Sequence, residues 1–535
     1  MKLFTPEIAW HNQEPVLSLD IKKIDANLYK AVTSGSDRHL VVWKITLSLP
    51  SVLDSTSGSS CTLKKQITIE PLADLNRHPK AINVVKFSSN VNFFASGDDE
   101  GNIFVWKLQD KSGEPMVTGD NDASGSDKKL WSGNCFEDPD GNNNIEDWCL
   151  YKTLRGHNED VVDLCWSPNG QFLLSGSVDN DAIVWDVNKG VRISYLAGHK
   201  GYVQGVAWDP ADNYIITLST DRSLRVFNTS SKRLIYKVYK SAVKIDEDKV
   251  KMTRLFYDDT LPTYSRRVCF SPGGELLFAP SGVVELDPDE ENFKFTNAVH
   301  IFTRNCINKP KYYLSTGNLY NTAVKCCPQR FELKQDLANP FPFPYRIIFA
   351  VATQESVLLF DTQQIEPFAS ISNIHYTRLT DISWSDDGRL LMISSTDGYC
   401  SFIIFDESEF GIPYNGSYYK YEVSTQNDSC ASSPAKEGQD IDQRSPLESS
   451  ASKPKRTPEV TKITNFFRKL DKSDIKGSVK RKEVVDLTNA ESPLKKFHSS
   501  KESSSEVKRL FSNQEGMQKV DDSNKEAVKV NDISG

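Results

Sequence analysis

The chain has 535 residues, 25% charged and 38% hydrophobic, with a formal net charge of −8. That charge is split: from Tyr421 onward 21 Lys and Arg stand against 19 Asp and Glu, which leaves 43 against 53 before it, while 451–510 carries 16 against 8. An acidic body argues against direct sequence-specific DNA binding and suits basic protein partners, and no stretch reaches the ~18–20 apolar residues of a membrane span.

Along the chain, short apolar or alternating runs are cut by Gly, Asp, Asn and Pro, the pattern of strands and tight turns. The stretch Leu3–Trp10 reads as a strand free to complete a last sheet, because the first unit's inner strand starts only near Val16. Seven units follow. The first has His11, Ser34-Gly35-Ser36-Asp37 and Trp43-Lys44. The second has His78, Ser96-Gly97-Asp98-Asp99 and Trp106-Lys107. A polar, turn-rich insertion at about 109–148 precedes the third, which has Gly156-His157, Ser175-Gly176-Ser177-Val178-Asp179 and Trp185-Asp186. The fourth has Gly198-His199, Ser219-Thr220-Asp221 and Phe227, followed by an insertion at about 229–262. The fifth runs from Val268-Cys269-Phe270-Ser271-Pro272 to Ala298-Val299-His300-Ile301-Phe302, with a further insertion at about 303–322. The sixth runs from Ala323-Val324-Lys325-Cys326-Cys327-Pro328 to Ser356-Val357-Leu358-Leu359-Phe360-Asp361. The seventh has His375, Ile382-Ser383-Trp384-Ser385, Asp397-Gly398 and Phe405-Asp406.

His157 and His199 are 42 residues apart, within the ~40–45 residue period of a four-stranded propeller blade. The prediction is an all-β, seven-bladed WD-repeat β-propeller over 1–412. The segment 413–535 is rich in Ser, Lys, Glu, Asp and Asn and poor in aromatics; such composition predicts a disordered tail. The ten cysteines have no CxxC or zinc-like spacing, which predicts reduced thiols in a reducing compartment. MKLFTPEIAWHNQEP lacks the apolar core of a signal peptide, so an intracellular, soluble protein is expected.

His157, Ser175 and Asp179 have the composition of a hydrolase triad. A reacting site would not be copied from blade to blade, whereas a loop His, a strand hydroxyl, a turn Asp and an indole N–H can satisfy one another. A structural polar network is therefore expected at His157, Ser175, Asp179 and Trp185. It recurs at His199, Ser219 and Asp221, where Phe227 has no donor, and in the first unit at Asp37 and Trp43. No phosphate-cradling loop or metal motif is present, and the paired carboxylates Asp138 and Asp140 sit in a turn-rich loop. No enzyme, metal or cofactor is expected.

The tail holds short motifs. Ile463, Phe466 and Phe467 fall on one face of a single helical turn, a three-pronged apolar plug that resembles the box binding the replication sliding clamp, with Val460 where Gln is usual. Glu483-Val484-Val485-Asp486-Leu487-Thr488 resembles a SUMO-interacting strand. Lys453, Lys455 and Arg456, and Lys480-Arg481-Lys482, read as nuclear-import clusters. Ser433, Ser445, Thr457 and Ser492 each precede Pro and are candidate phosphorylation sites; phosphate on Thr457 would add about −1.5 to −2 charge beside the import cluster and the plug.

Glu7-Ile8-Ala9-Trp10-His11-Asn12-Gln13-Glu14-Pro15-Val16 resembles the start of the middle, WD-repeat subunit family of chromatin assembly factor 1. Lys152-Thr153-Leu154-Arg155-Gly156-His157, Tyr202-Val203-Gln204-Gly205-Val206-Ala207-Trp208-Asp209-Pro210, Ser356–Gln364 and Ser394–Phe402 continue the resemblance in order across 1–412. It implies a non-enzymatic nuclear subunit of a three-part histone chaperone. The complex would deposit newly made core histones, the tetramer-forming pair, behind replication forks and at repair sites. The implied partners are the large and small subunits, core histones, and an anti-silencing-type histone chaperone docking on a basic-aliphatic tail motif. The best match to that motif is Lys480, Arg481, Val484, Val485, Asp486 and Leu487, overlapping the SUMO-like run; Glu483 and Asp486 depart from its pattern. The histone-regulator subunit of the replication-independent pathway matches less well. A ubiquitin-ligase receptor would carry Trp-Asp-x-Arg at a blade end, and Trp185-Asp186-Val187-Asn188 lacks the Arg.

Overall fold

Each repeat supplies one buried apolar strand near the axis, two flanking strands and an outer, half-solvated one. The computed structural model describes residues 1–48, 67–109, 144–246, 249–285, 295–407 and 409–419. These form seven four-stranded antiparallel sheets and one separate two-stranded hairpin. The innermost strands are Val16–Asp25, Ile82–Phe87, Val161–Trp166, Val203–Trp208, Cys269–Phe270, Asn321–Glu332 and Leu379–Trp384. Each lies against the next, and the seventh returns to the first, so the ring is closed.

Closure uses the chain's own start. Lys2–Phe4 pairs antiparallel with Cys400–Ile404 as the outer strand of the seventh blade, with Leu3 opposite Ile403 and Phe4 opposite Phe402. Thr5 Oγ1 meets Ser401 Oγ at 2.6 Å. Trp10, 2% exposed, then packs edge-on against Trp43 with centroids 4.6 Å apart. Trp10, Val16, Tyr29 and Trp43 of the first blade join Met392 and Phe402 of the seventh in one apolar cluster. Fully burying side chains of this size stabilises by about 1.5–3 kcal/mol each.

Two expected insertions are largely structure. The stretch 229–262 contains Leu234–Val238, the outer strand of the fourth blade, and the hairpin Lys240–Asp246 with Lys249–Arg254. Likewise 303–322 contains Tyr312–Gly317, the outer strand of the fifth blade. Leu234 to Lys237 are all exposed, so the alternation that marks a half-buried strand is missing there; in the fifth blade it is confined to Leu314–Gly317. Most of 109–148 lies outside the described residues; at its end Trp148 opens the outer strand Trp148–Arg155.

The chain continues to pack beyond the seventh blade, and the boundary expected at 412 falls inside a strap. Phe410, 6% exposed, enters the apolar cluster of the sixth and seventh blades. Arg346 of the sixth blade donates to its carbonyl. Further on, Arg330 lies over the rings of Tyr345, Tyr414 and Tyr418 at 4.8, 5.4 and 4.0 Å, and Tyr419 N–H donates to Tyr345 Oη at 3.0 Å.

Candidate interaction surface

The third blade builds its polar network from three positions: the loop before the inner strand (His157), the second strand (Ser175) and the following turn (Asp179). His157 Nδ1 lies 2.9 Å from Asp179 Oδ2, and Nε2 lies 2.7 Å from Ser175 Oγ. Trp185 Nε1–H donates to the same hydroxyl at 2.8 Å. A carboxylate only accepts, so Nδ1 carries the proton and the Ser hydroxyl donates to Nε2 while accepting the indole. Burial works to raise the Asp179 carboxyl, but the hydrogen bond and charge of His157 and the N–H groups of Asp181 and Asn158 together outweigh it and hold the group below its usual range. Ser175 is fully buried and its proton is committed to the ring. It is not a free nucleophile.

The network recurs with variations. His11 meets Asp37 at 2.9 Å and Thr33 Oγ1 at 2.9 Å, and Trp43 Nε1–H donates to Thr33 at 2.8 Å. His78 is set between Asp98 at 2.9 Å and Ser96 at 2.7 Å. His199 meets Asp221 at 3.1 Å but finds Thr217 Oγ1, not Ser219, at 2.7 Å. The expected role of Ser219 is therefore corrected: its hydroxyl points into the turn, donating to Gly201 O at 2.8 Å and accepting from Asp221 N–H at 3.1 Å. Counting would have found the right residue, because Thr33, Ser96, Ser175 and Thr217 each stand ten before the blade's aromatic. In the seventh blade His375 meets Asp397 at 3.1 Å and Ser401 at 3.0 Å.

A second constellation, not anticipated from the sequence, fills the channel. Asp381 is fully buried and accepts from Lys86 Nζ and Ser18 Oγ, each at 2.7 Å, and from Leu19 N–H at 3.3 Å. Arg267 Nε lies 3.2 Å from Asp381, and its Nη1 lies 2.8 Å from Asp163. Burial opposes ionisation of Asp381, but Arg267, Lys86 and Lys325 together hold its carboxyl far below the ordinary range. Burial lowers the Lys86 ammonium despite Asp381. These charges come from five of the inner strands or the residues just before them, so ion pairs bridge the inner strands across the axis.

The loop 258–266 closes the mouth above them. Tyr264 Oη donates to Asp160 at 2.7 Å, and Gln204 Nε2 donates to Thr263 O at 3.2 Å. Pro262 O accepts from Tyr320 at 3.3 Å and Arg378 at 3.4 Å. One loop thus reaches the third, fourth, sixth and seventh blades, which requires it to cross the opening. Gly205 permits the approach: a Cβ there would sit 1.8 Å from the Arg266 carbonyl oxygen.

Among the described residues no group of three or more His, Cys, Asp or Glu is arranged to hold a metal, and the described cysteines are free thiols. Asp138, Asp140 and all the tail candidates lie outside the described residues: Ser433, Ser445, Lys453, Lys455, Arg456, Thr457, Ile463, Phe466, Phe467, Lys480, Arg481, Val484, Val485, Asp486, Leu487 and Ser492.

A ring of seven four-stranded sheets, with the His–Asp–hydroxyl network repeated from blade to blade, defines a WD-repeat β-propeller. The chain belongs to the CAF1B/HIR1 beta-propeller family, whose domain model matches residues 1–410. It is 43% identical over 426 residues to the CAF1B component of chromatin assembly factor 1 from Gallus gallus, covering 77% of this chain and 69% of the relative. The Saccharomyces cerevisiae protein of the same name is 32% identical over 429 residues, covering 76% and 86%. Protein HIR1 of Kluyveromyces lactis is 24% identical over 412 residues, covering 75% of this chain and 42% of that one.

Proposed function

We propose that this protein is the propeller subunit of a chromatin assembly factor 1-type histone chaperone, acting in the nucleus without catalysis of its own. It holds the large subunit, joins the small subunit in one complex, and helps deliver newly made core histones to DNA during replication-coupled and repair-coupled nucleosome assembly. The observation that carries this reading is that relatives named for chromatin assembly factor 1 match about three quarters of the chain at 28–43% identity, against 24–27% for the HIR1 relatives. The replication-independent alternative is therefore the weaker one. An acidic body suits transient handling of basic histones, where complementary charge speeds encounter and exchange. The anti-silencing-type chaperone, the sliding clamp and SUMO are proposed partners of the tail motifs. The test is a pull-down of the tagged full chain from nuclear extract. Recovery of the large subunit together with histones H3 and H4 is expected; recovery of neither defeats the proposal.

A further inference from the structure

A cleft of about 600 Å³ opens between the second blade and the start of the third, lined by Arg77, Pro79, Glu100, Asn102, Phe104 and Arg155, with Gly101 and His157 beneath. Its walls are fixed. Phe104 stacks on His78 with centroids 4.2 Å apart, and His78 is locked between Asp98 and Ser96. Gly101 has φ +77°, and a Cβ on it would meet the His157 carbonyl oxygen at 2.6 Å. Arg155 is the last residue of the outer strand Trp148–Arg155, paired through its backbone with Asn102, which places it at the rim of the cleft.

Neither Arg77 nor Arg155 has an ion-pair or side-chain hydrogen-bond partner among the described residues. The one acid in the lining, Glu100, lies 3.8 Å from Lys80. Other guanidiniums of the ring are paired with carboxylates: Arg267 with Asp163, Arg304 with Asp209, and Arg346 with Asp361. The region before Tyr421 has more acids than bases, yet two exposed guanidiniums that no described side chain pairs stand at one preformed concavity, free to take an external anion. A guanidinium takes a carboxylate through two parallel N–H donors.

We propose that this cleft is a docking site for an acidic peptide segment of a partner protein, with one carboxylate on Arg77 and a second on Arg155. The site does not depend on the chromatin reading: it would take an acidic strand or turn from any partner.

The probe is a fluorescent twelve-residue Asp/Glu peptide, its anisotropy measured against the full chain at 50 and 150 mM salt. Arg77→Gln with Arg155→Gln should weaken binding at least tenfold and flatten the salt dependence, and each single change should weaken it several-fold. Glu100→Gln should tighten it. Lys200→Gln, at an exposed lysine elsewhere, should leave it unchanged. Because the tail is basic, a photo-crosslinking version of the peptide is mapped by mass spectrometry and should label 77–104. Unchanged affinity in the double variant, labelling confined to the tail, equal loss in Lys200→Gln, or equally tight binding of an oligothymidylate through the same arginines would each overturn the proposal. Both arginines are exposed, so the variants should melt with the parent.

Discussion

Replacing Asp381 with Asn tests the channel most sharply. The change keeps size and one acceptor oxygen but removes the charge that Lys86 and Arg267 face. Both cations are buried, with side-chain exposures of 8% and 2%. Removing one partner of a buried ion pair strands the other and costs about 3–5 kcal/mol. Here the new amide also turns N–H groups toward cations. The control is Asp386→Asn, whose partner Lys22 sits 3.1 Å away at the surface and whose loss should cost no more than about 1 kcal/mol. Equilibrium urea denaturation of the full chain gives both values. Adding Lys86→Met to Asp381→Asn should recover part of the loss, because it removes the stranded ammonium. An Asp381→Asn penalty no larger than that of Asp386→Asn, or no recovery in the double variant, would refute the ion-pair reading of the channel.

Asp179→Ala leaves the His157 Nδ1–H without its acceptor and should cost about 1–3 kcal/mol by urea denaturation. Phe410→Ala removes the strap's anchor and should cost about 3–5 kcal/mol, with faster proteolysis within 409–419. Deleting residues 1–10 removes both the closing strand and Trp10, and should lower the melting temperature and expose the edge of Cys400–Ile404; an unchanged melting temperature would contradict closure. His300 is pushed down to about 4 by burial, against the hydrogen bond between its Nε2 and the Leu255 carbonyl at 2.8 Å. The unfolded chain takes up that proton first, near pH 6.5, so stability falls as pH drops from 6.5 toward 4. The loss is about 3 kcal/mol at ~1.36 kcal/mol per pH unit. His300→Gln should remove that part of the acid sensitivity in melting curves recorded from pH 7.5 to 4.

The ring was legible because the repeated His, Asp and Trp recur at blade spacing, and because apolar strand runs persist where the fifth and sixth blades drop them. The closing role of the N-terminal stretch followed from the late start of the first inner strand, near Val16, although only Lys2–Phe4 forms the strand expected over Leu3–Trp10. Thr33 and Thr217 were masked by the adjacent Ser-Gly-Ser and Ser-Thr-Asp runs, although Ser34 faces the other side of its strand and Ser219, at the strand's end, bonds into the turn. The channel charges leave only a faint mark: a lone Lys or Asp inside an apolar run, as in Val84-Val85-Lys86-Phe87 or Leu379-Thr380-Asp381-Ile382. Their pairing spans hundreds of residues, so no local pattern announces it. The loop 258–266 and the strap 409–419 were illegible for the same reason, since their meaning lies in what they cross. Arg77 and Arg155 sit beside the repeat histidines and looked like loop residues; only the concavity between two blades sets them apart.

The most direct measurement is histone deposition onto replicating DNA by a complex rebuilt from purified large subunit, small subunit and this chain. Deposition should require all three, and this chain alone should neither assemble nucleosomes nor turn over any substrate. Full assembly with the propeller left out would contradict the account.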